Sequence, residues 1–140
     1  MNQRGFATLE VILMIVVIGI LATVAVPRFT DVTTKANTAK IQSDLTTIDT
    51  AIQIYYMEKG EWPTAANLET ELKPYLNDFP KAPTGSAYIN GQVTKISTID
   101  AGSKGYTTKD ETISGTGNSA KTVVRAALGE HLVSDFTLPK

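Results

Sequence analysis

The stretch Arg4-Gly5-Phe6-Ala7-Thr8-Leu9-Glu10, followed by an apolar run from Val11 to Val26 and a stop at Pro27, decides how the rest of the chain is read. Val11 to Val26 carries no charged side chain and only Gly19 and Thr23 as small or polar interruptions. With Phe6, Ala7 and Leu9 the apolar segment reaches about 21 residues, and a helix of that length crosses the hydrocarbon core of a bilayer. Glu10 is the anomaly. A carboxylate inside a membrane helix costs about 2.5 to 3.5 kcal/mol on insertion scales and is retained where it has a partner, so this position calls for a cation.

A short basic leader, a Gly-Phe step and a Glu four residues after the Phe resemble the precursors of the type IV pilin-like proteins. Here those positions are Arg4, Gly5, Phe6 and Glu10. The resemblance implies that a prepilin peptidase cuts between Gly5 and Phe6 and that the new amino group of Phe6 is N-methylated. It also implies that Glu10 pairs with that amine on a neighbouring subunit during assembly. Ala7-Thr8-Leu9 departs from the common Thr-Leu-Ile filling, but the spacing from Phe6 to Glu10 is kept. The competing reading is a secretory signal peptide or plain anchor. A signal peptide has an apolar core of 7 to 15 residues before a small-residue cleavage site. This run is longer, and Ala22 to Pro27 makes an imperfect site. Charge flanks do not orient the span, because Arg4 on one side faces Arg28 and Lys35 on the other.

Composition narrows the function classes. With 13 basic and 14 acidic residues the formal charge is −1, which provides no global attraction to nucleic acid or anionic lipid. There is no cysteine, so neither a disulfide nor a thiolate metal site can form, although many pilins of the type IVa class close their C-terminal region with a disulfide. The expected architecture is α+β and pilin-like, a long N-terminal helix packed on a small antiparallel sheet. Its parts are a leader at 1–5, a helix at 6–58 and a globular head at 59–140. Within the helix, 6–26 is the membrane span or filament core and 27–58 an amphipathic half.

Pro27 removes a helix hydrogen bond and favours a kink, yet the helical pattern resumes beyond it. Phe29, Val32, Ala36 and Ala39, then Ile41, Leu45, Ile48, Ile52 and Tyr55, keep three- and four-residue spacing, with a register shift near Lys40. Lys35, Asn37, Lys40, Gln42, Asp49 and Gln53 oppose them and are expected to face water or other subunits. Gly60, with Lys59 before it and Pro63 after it, is a helix stop. Tyr55 to Thr64 resembles the tyrosine-rich helix exit and Gly-x-x-Pro turn of pilins and pseudopilins, with Trp62 expected to anchor the corner on the core.

Thr64 to Leu76 predicts a short helix broken at Pro74. Ala87-Tyr88-Ile89, Asn90-Gly91 and Gln92 to Ile96 predict a hairpin with a type I′ turn. Six glycines between Gly85 and Gly117 suggest short strands and loops. A helix capped by Asn118 or Ser119 is expected to carry Ala120, Val123, Val124, Ala127, Leu128 and Leu132 on one face, with a buried strand over Thr122 to Leu128 as the alternative. Leu132 to Leu138 is expected to form a terminal strand.

The motifs that suggest chemistry have weak contexts. Gly115-Thr116-Gly117-Asn118-Ser119-Ala120-Lys121-Thr122 overlaps two phosphate-binding patterns, but Lys109 to Ser114 makes a poor buried parallel strand before it, and a glycine-rich loop is the better account. His131 is the single histidine, and no nucleophile-elbow motif accompanies it, so no enzyme activity is expected. Asp100, Asp110, Glu111 and Asp135 are candidate oxygen ligands for calcium. Major pseudopilins of type II secretion hold calcium in a comparable region, but their Asp-Pro-Trp-Gly stretch is absent here, so no cofactor is assigned.

The expected function is a structural subunit of a type IV pilus or related filament. The resemblance implies a protein held in the bacterial inner membrane and then polymerised, with the prepilin peptidase and the pilus or secretion assembly machinery as partners. It also implies a helix that loosens between Gly19 and Pro27 as the filament forms. The runner-up is a major pseudopilin in a periplasmic pseudopilus, favoured by Tyr55 to Thr64. A membrane-anchored ligand-binding domain that never polymerises is the alternative from a different class.

Overall fold

A computed structural model of the chain describes residues 3–99, 105–114 and 120–139. Helix α1 spans Gln3–Lys59 and passes through both Gly19 and Pro27 without interruption. The chain divides into two compact units, Met1–Thr33 and Thr34–Lys140. The second unit therefore begins inside the helix.

In the first unit the helix stands bare. Large apolar side chains from Leu9 to Val32 are exposed, many by more than half of their surface. The hydroxyl of Thr23 donates to the carbonyl of Ile20 at 2.7 Å, and that of Thr33 to Phe29 at 2.8 Å, so polar groups on this stretch are satisfied by the helix itself. Among the described residues this is one helix long and apolar enough to cross a membrane.

The second unit packs a core on the other half of α1. Ile41, Leu45, Ile48, Ala51 and Ile52 are buried, preceded on the same face by the buried threonines Thr34 and Thr38. At 100° per residue these positions form a different face from Phe29, Val32, Ala36 and Ala39. The register shift near Lys40 is thus two stripes on two faces. The first stripe is exposed and the second covered.

Gly60 ends α1 at φ 75°, its N–H donating to the Tyr56 carbonyl at 2.8 Å. Only glycine adopts that backbone freely. Trp62 stacks on Tyr56 with ring centroids 3.9 Å apart, which pins the corner. Helix α2, Leu68–Leu72, is shorter than expected and buries Leu68 and Leu72. Strands β1 (Ser86–Ile89) and β2 (Gln92–Lys95) form the expected hairpin, with Asn90 at φ 50° and Gly91 at φ 77° as a type I′ turn requires. Ile96, expected as strand, instead opens the short helix α3 (Ile96–Ile99) and is buried.

Two expectations for the C-terminal part are corrected. Residues 120–128 are not a helix but strand β4 (Ala120–Leu128), paired antiparallel with β3 (Tyr106–Ser114) over nine residue pairs. Val123, Val124, Ala126, Ala127 and Leu128 are all buried, so both faces of the strand are covered. A strand covered on both faces shows a continuous apolar run without alternation, which mimics a buried helix. The terminal strand is also shorter than expected. Of that segment His131–Leu132 form strand β5, which pairs with β4 on the side away from β3, and a 3-10 turn follows over Val133–Asp135. Asp135 causes the break, its carboxylate accepting the Leu132 N–H at 3.1 Å, and Phe136 then drops fully into the core.

Candidate functional site: the assembly helix and its clamp to the head

Glu10 lies on the exposed part of α1, and the residues three and four positions away are Phe6, Ala7, Leu13 and Met14. None is a cation, so the helix offers its carboxylate no local partner. Gly5 and Phe6 lie in the first turns of α1. A Cβ added at Gly19 would meet nothing within 4 Å, so in the single chain this glycine is not there to relieve crowding.

In the head half of α1 the polar side chains grip the rest of the unit. The Asn37 amide donates to the carbonyls of Thr84 and Ser86, both at 3.0 Å, and the buried Thr38 hydroxyl accepts the Tyr88 N–H at 2.8 Å. These bonds hold β1 against the helix. Lys40 reaches the Lys81 carbonyl at 3.1 Å, and Gln42 donates to the Phe136 carbonyl at 2.5 Å. Asp49 accepts the N–H of Ala126 at 2.6 Å on one oxygen and Arg125 Nε and Nη2, each at 2.9 Å, on the other. Asn37, Gln42 and Asp49 were expected to face water or other subunits. Instead they are half-buried clamps, because the loops and strands they meet come from distant sequence.

Two tyrosine hydroxyls donate to carboxylates. The Tyr75 hydroxyl donates to Glu58 at 2.6 Å, which pushes its pKa up to about 12 and holds Glu58 below the usual carboxylate value. Burial, with a 2.7 Å bond to Asp44, raises Tyr106 far above the ordinary phenol value.

The candidate calcium ligands are not assembled by the described part of the fold. Asp110 and Glu111 are successive residues of β3 and so point to opposite faces, Glu111 lying 3.6 Å from Arg125. Asp135 is engaged by the Leu132 N–H and lies 3.4 Å from His131. Asp100 and Gly115 to Ser119 lie outside the described residues. Among the described residues no group of three or more His, Asp or Glu side chains converges as a metal site.

No family model matches the chain, and no solved structure matches it. Curated proteins do. The type II secretion system core protein G of Escherichia coli K12 is 29% identical, the match covering 86% of this chain and 95% of that protein. The core protein G of Klebsiella pneumoniae is 30% identical over 62% of this chain and 73% of its own length. The fimbrial protein EcpC of Eikenella corrodens is 28% identical over 83% and 76%. With a bare apolar stretch of α1 that carries Glu10 near its start, and an antiparallel head, these relatives establish that the chain belongs to the type IV pilin-like family.

Proposed function

We propose that the chain is a membrane-held precursor cut between Gly5 and Phe6 and polymerised through α1, serving as the repeating subunit of a type II secretion pseudopilus. The observation that carries this reading is the exposed apolar surface from Leu9 to Val32. Such a surface is stable in lipid or buried against copies of itself, and costs about 25 cal/mol per Å² if left in water. A filament core is what the span exchanges for lipid. Glu10 then has a reason to persist, because a neighbour's Phe6 amine neutralises it in the apolar core. The inner membrane, a prepilin peptidase and an assembly platform follow as location and partners. The relatives named core protein G favour the secretion system. A surface pilus is the second reading, favoured by the fimbrial relatives and by the missing Asp-Pro-Trp-Gly stretch.

The experiment is to express the chain in a host with its own secretion genes and probe sheared and periplasmic fractions. A mature N-terminus at Phe6 in cell-associated polymers supports the pseudopilus, and abundant sheared filaments support the pilus. An intact Met1, or cleavage near Ala25, contradicts both.

A further inference from the structure

Asn90-Gly91 is the one Asn-Gly step in the chain. It forms the tip of the β1–β2 hairpin, beyond the pair Ile89 and Gln92, and Asn90 is exposed to solvent. Such a step has covalent chemistry of its own. A glycine nitrogen that gives up its proton attacks the side-chain amide carbon of the asparagine before it, and glycine hinders the approach least because it has no Cβ.

Two features of the fold hold that attack off. The first is the backbone. Asn90 at φ 50° and Gly91 at φ 77° form a type I′ turn, whose first central residue has a ψ of about +30°. Closing a five-membered ring requires the Gly91 nitrogen to eclipse the Asn90 Cβ, and that ψ keeps the two apart. The second is the C-terminal segment, which lies against the tip as a strap. Three successive carbonyls of the strap are taken. Asp135 accepts the Asn90 N–H at 2.7 Å, Phe136 the Gln42 amide at 2.5 Å, and Thr137 the Gly91 N–H at 3.1 Å. The fully buried Phe136 ring anchors the strap in the core. The proton that must leave Gly91 is therefore the one the strap holds.

We propose that Asn90 is a deamidation site guarded by the strap from Asp135 to Thr137. Where the strap lifts, the Gly91 nitrogen bonds to Asn90 Cγ, the Cγ–Nδ2 bond breaks, and Nδ2 leaves as ammonia with the Gly91 proton. Water then opens the resulting succinimide at either carbonyl. One opening gives aspartate, the other isoaspartate, whose main chain runs through Cβ and is longer. The longer chain does not fit a two-residue turn joining Ile89 to Gln92, so the strap cannot close again on the same contacts. A reversible local opening becomes a permanent one. The chemistry needs only the head, whether or not the chain polymerises.

The full chain in detergent is incubated at mildly alkaline pH, beside the same chain unfolded in guanidinium, and residue 90 is followed by peptide mass spectrometry with isoaspartate detection. Folded wild type is expected to convert at least about tenfold more slowly than the unfolded chain. A chain ending at Phe136 keeps the anchor and loses the Thr137 carbonyl, and is expected to convert about five to ten times faster than folded wild type, the effect of one lost hydrogen bond on opening. Gln42→Ala keeps every residue of the strap and frees only the Phe136 carbonyl. It is expected to convert about threefold faster while Trp62 keeps the fluorescence of the folded head, and it decides the matter if truncation melts the head. Conversion of folded wild type at the unfolded rate overturns the guard, as does a folded variant of either kind that converts no faster than wild type. An unfolded chain that stays unconverted overturns the site itself.

Discussion

Replacing Asp49 by alanine tests how the helix is fastened to the sheet. The carboxylate holds two donors at once, and its own side chain is 14% exposed while that of Arg125 is 34% exposed. Removing it orphans the N–H of Ala126, a residue that is 1% exposed, at a cost of about 1 to 3 kcal/mol. The lost ion pair adds about 1 kcal/mol, discounted because Arg125 is a third exposed and keeps Glu111 at 3.6 Å. The sum is about 3 kcal/mol, which for a domain of this size lowers the melting temperature by roughly 10 to 15 °C. Asp49→Asn keeps an acceptor oxygen for Ala126 and is expected to cost about 1 kcal/mol. Urea or thermal unfolding of the full chain in detergent, followed by the fluorescence of its single tryptophan, Trp62, reads both. A double-mutant cycle with Arg125→Ala isolates the pair. If Asp49→Ala unfolds within about 0.5 kcal/mol of wild type, or Asp49→Asn costs as much as alanine, the clamp is not what the geometry says.

Gly129 sits at φ 60°, and a Cβ there would fall 2.3 Å from the Ile99 carbonyl oxygen, whereas Gly60 at φ 75° faces open space. Gly129→Ala is therefore expected to lower the unfolding free energy by about 3 kcal/mol and Gly60→Ala by about 1 kcal/mol, and equal effects would refute the clash. Ultraviolet titration should find the Tyr75 phenol ionising at about 12, with Glu58→Gln moving it back towards 10.0. Because that pKa is raised by folding, the associated stability is full below 10 and declines as pH climbs towards 12. For Glu58, lowered by folding, stability is present above 4.5 and lost as the pH falls below it. Glu10→Val is expected to insert normally and assemble poorly, read as membrane-fraction level against filament yield; wild-type yield removes the role given to the carboxylate.

The parts legible in the sequence are those whose signals are local. A continuous apolar run, a glycine stop at Gly60 and an Asn90-Gly91 turn each depend on a few adjacent residues, and α1 and the β1–β2 hairpin lie where those signals put them. β4 was legible only as the alternative to a helix, because Val123 to Leu128 is an apolar run covered on both faces and its partner β3 is a separate stretch of sequence. The clamps were hidden for the same reason. Asp49 and Arg125 are 76 positions apart, and a polar residue on an amphipathic helix gives no sign of whether it meets water or a distant backbone. Thr34 and Thr38 open the buried stripe although their residue type suggests the opposite face, since their hydroxyls are satisfied within the protein. Even the choice between the two faces of α1 rested on a detail the sequence shows, the shift near Lys40, whose meaning required the head to be in place.

Electron microscopy of polymers purified from cells making the tagged chain tests most directly whether α1 leaves lipid for a filament core. The expected result is filaments whose repeating subunit begins at Phe6. A chain recovered only as a membrane-bound monomer, under conditions where its host assembles filaments from other subunits, would contradict it.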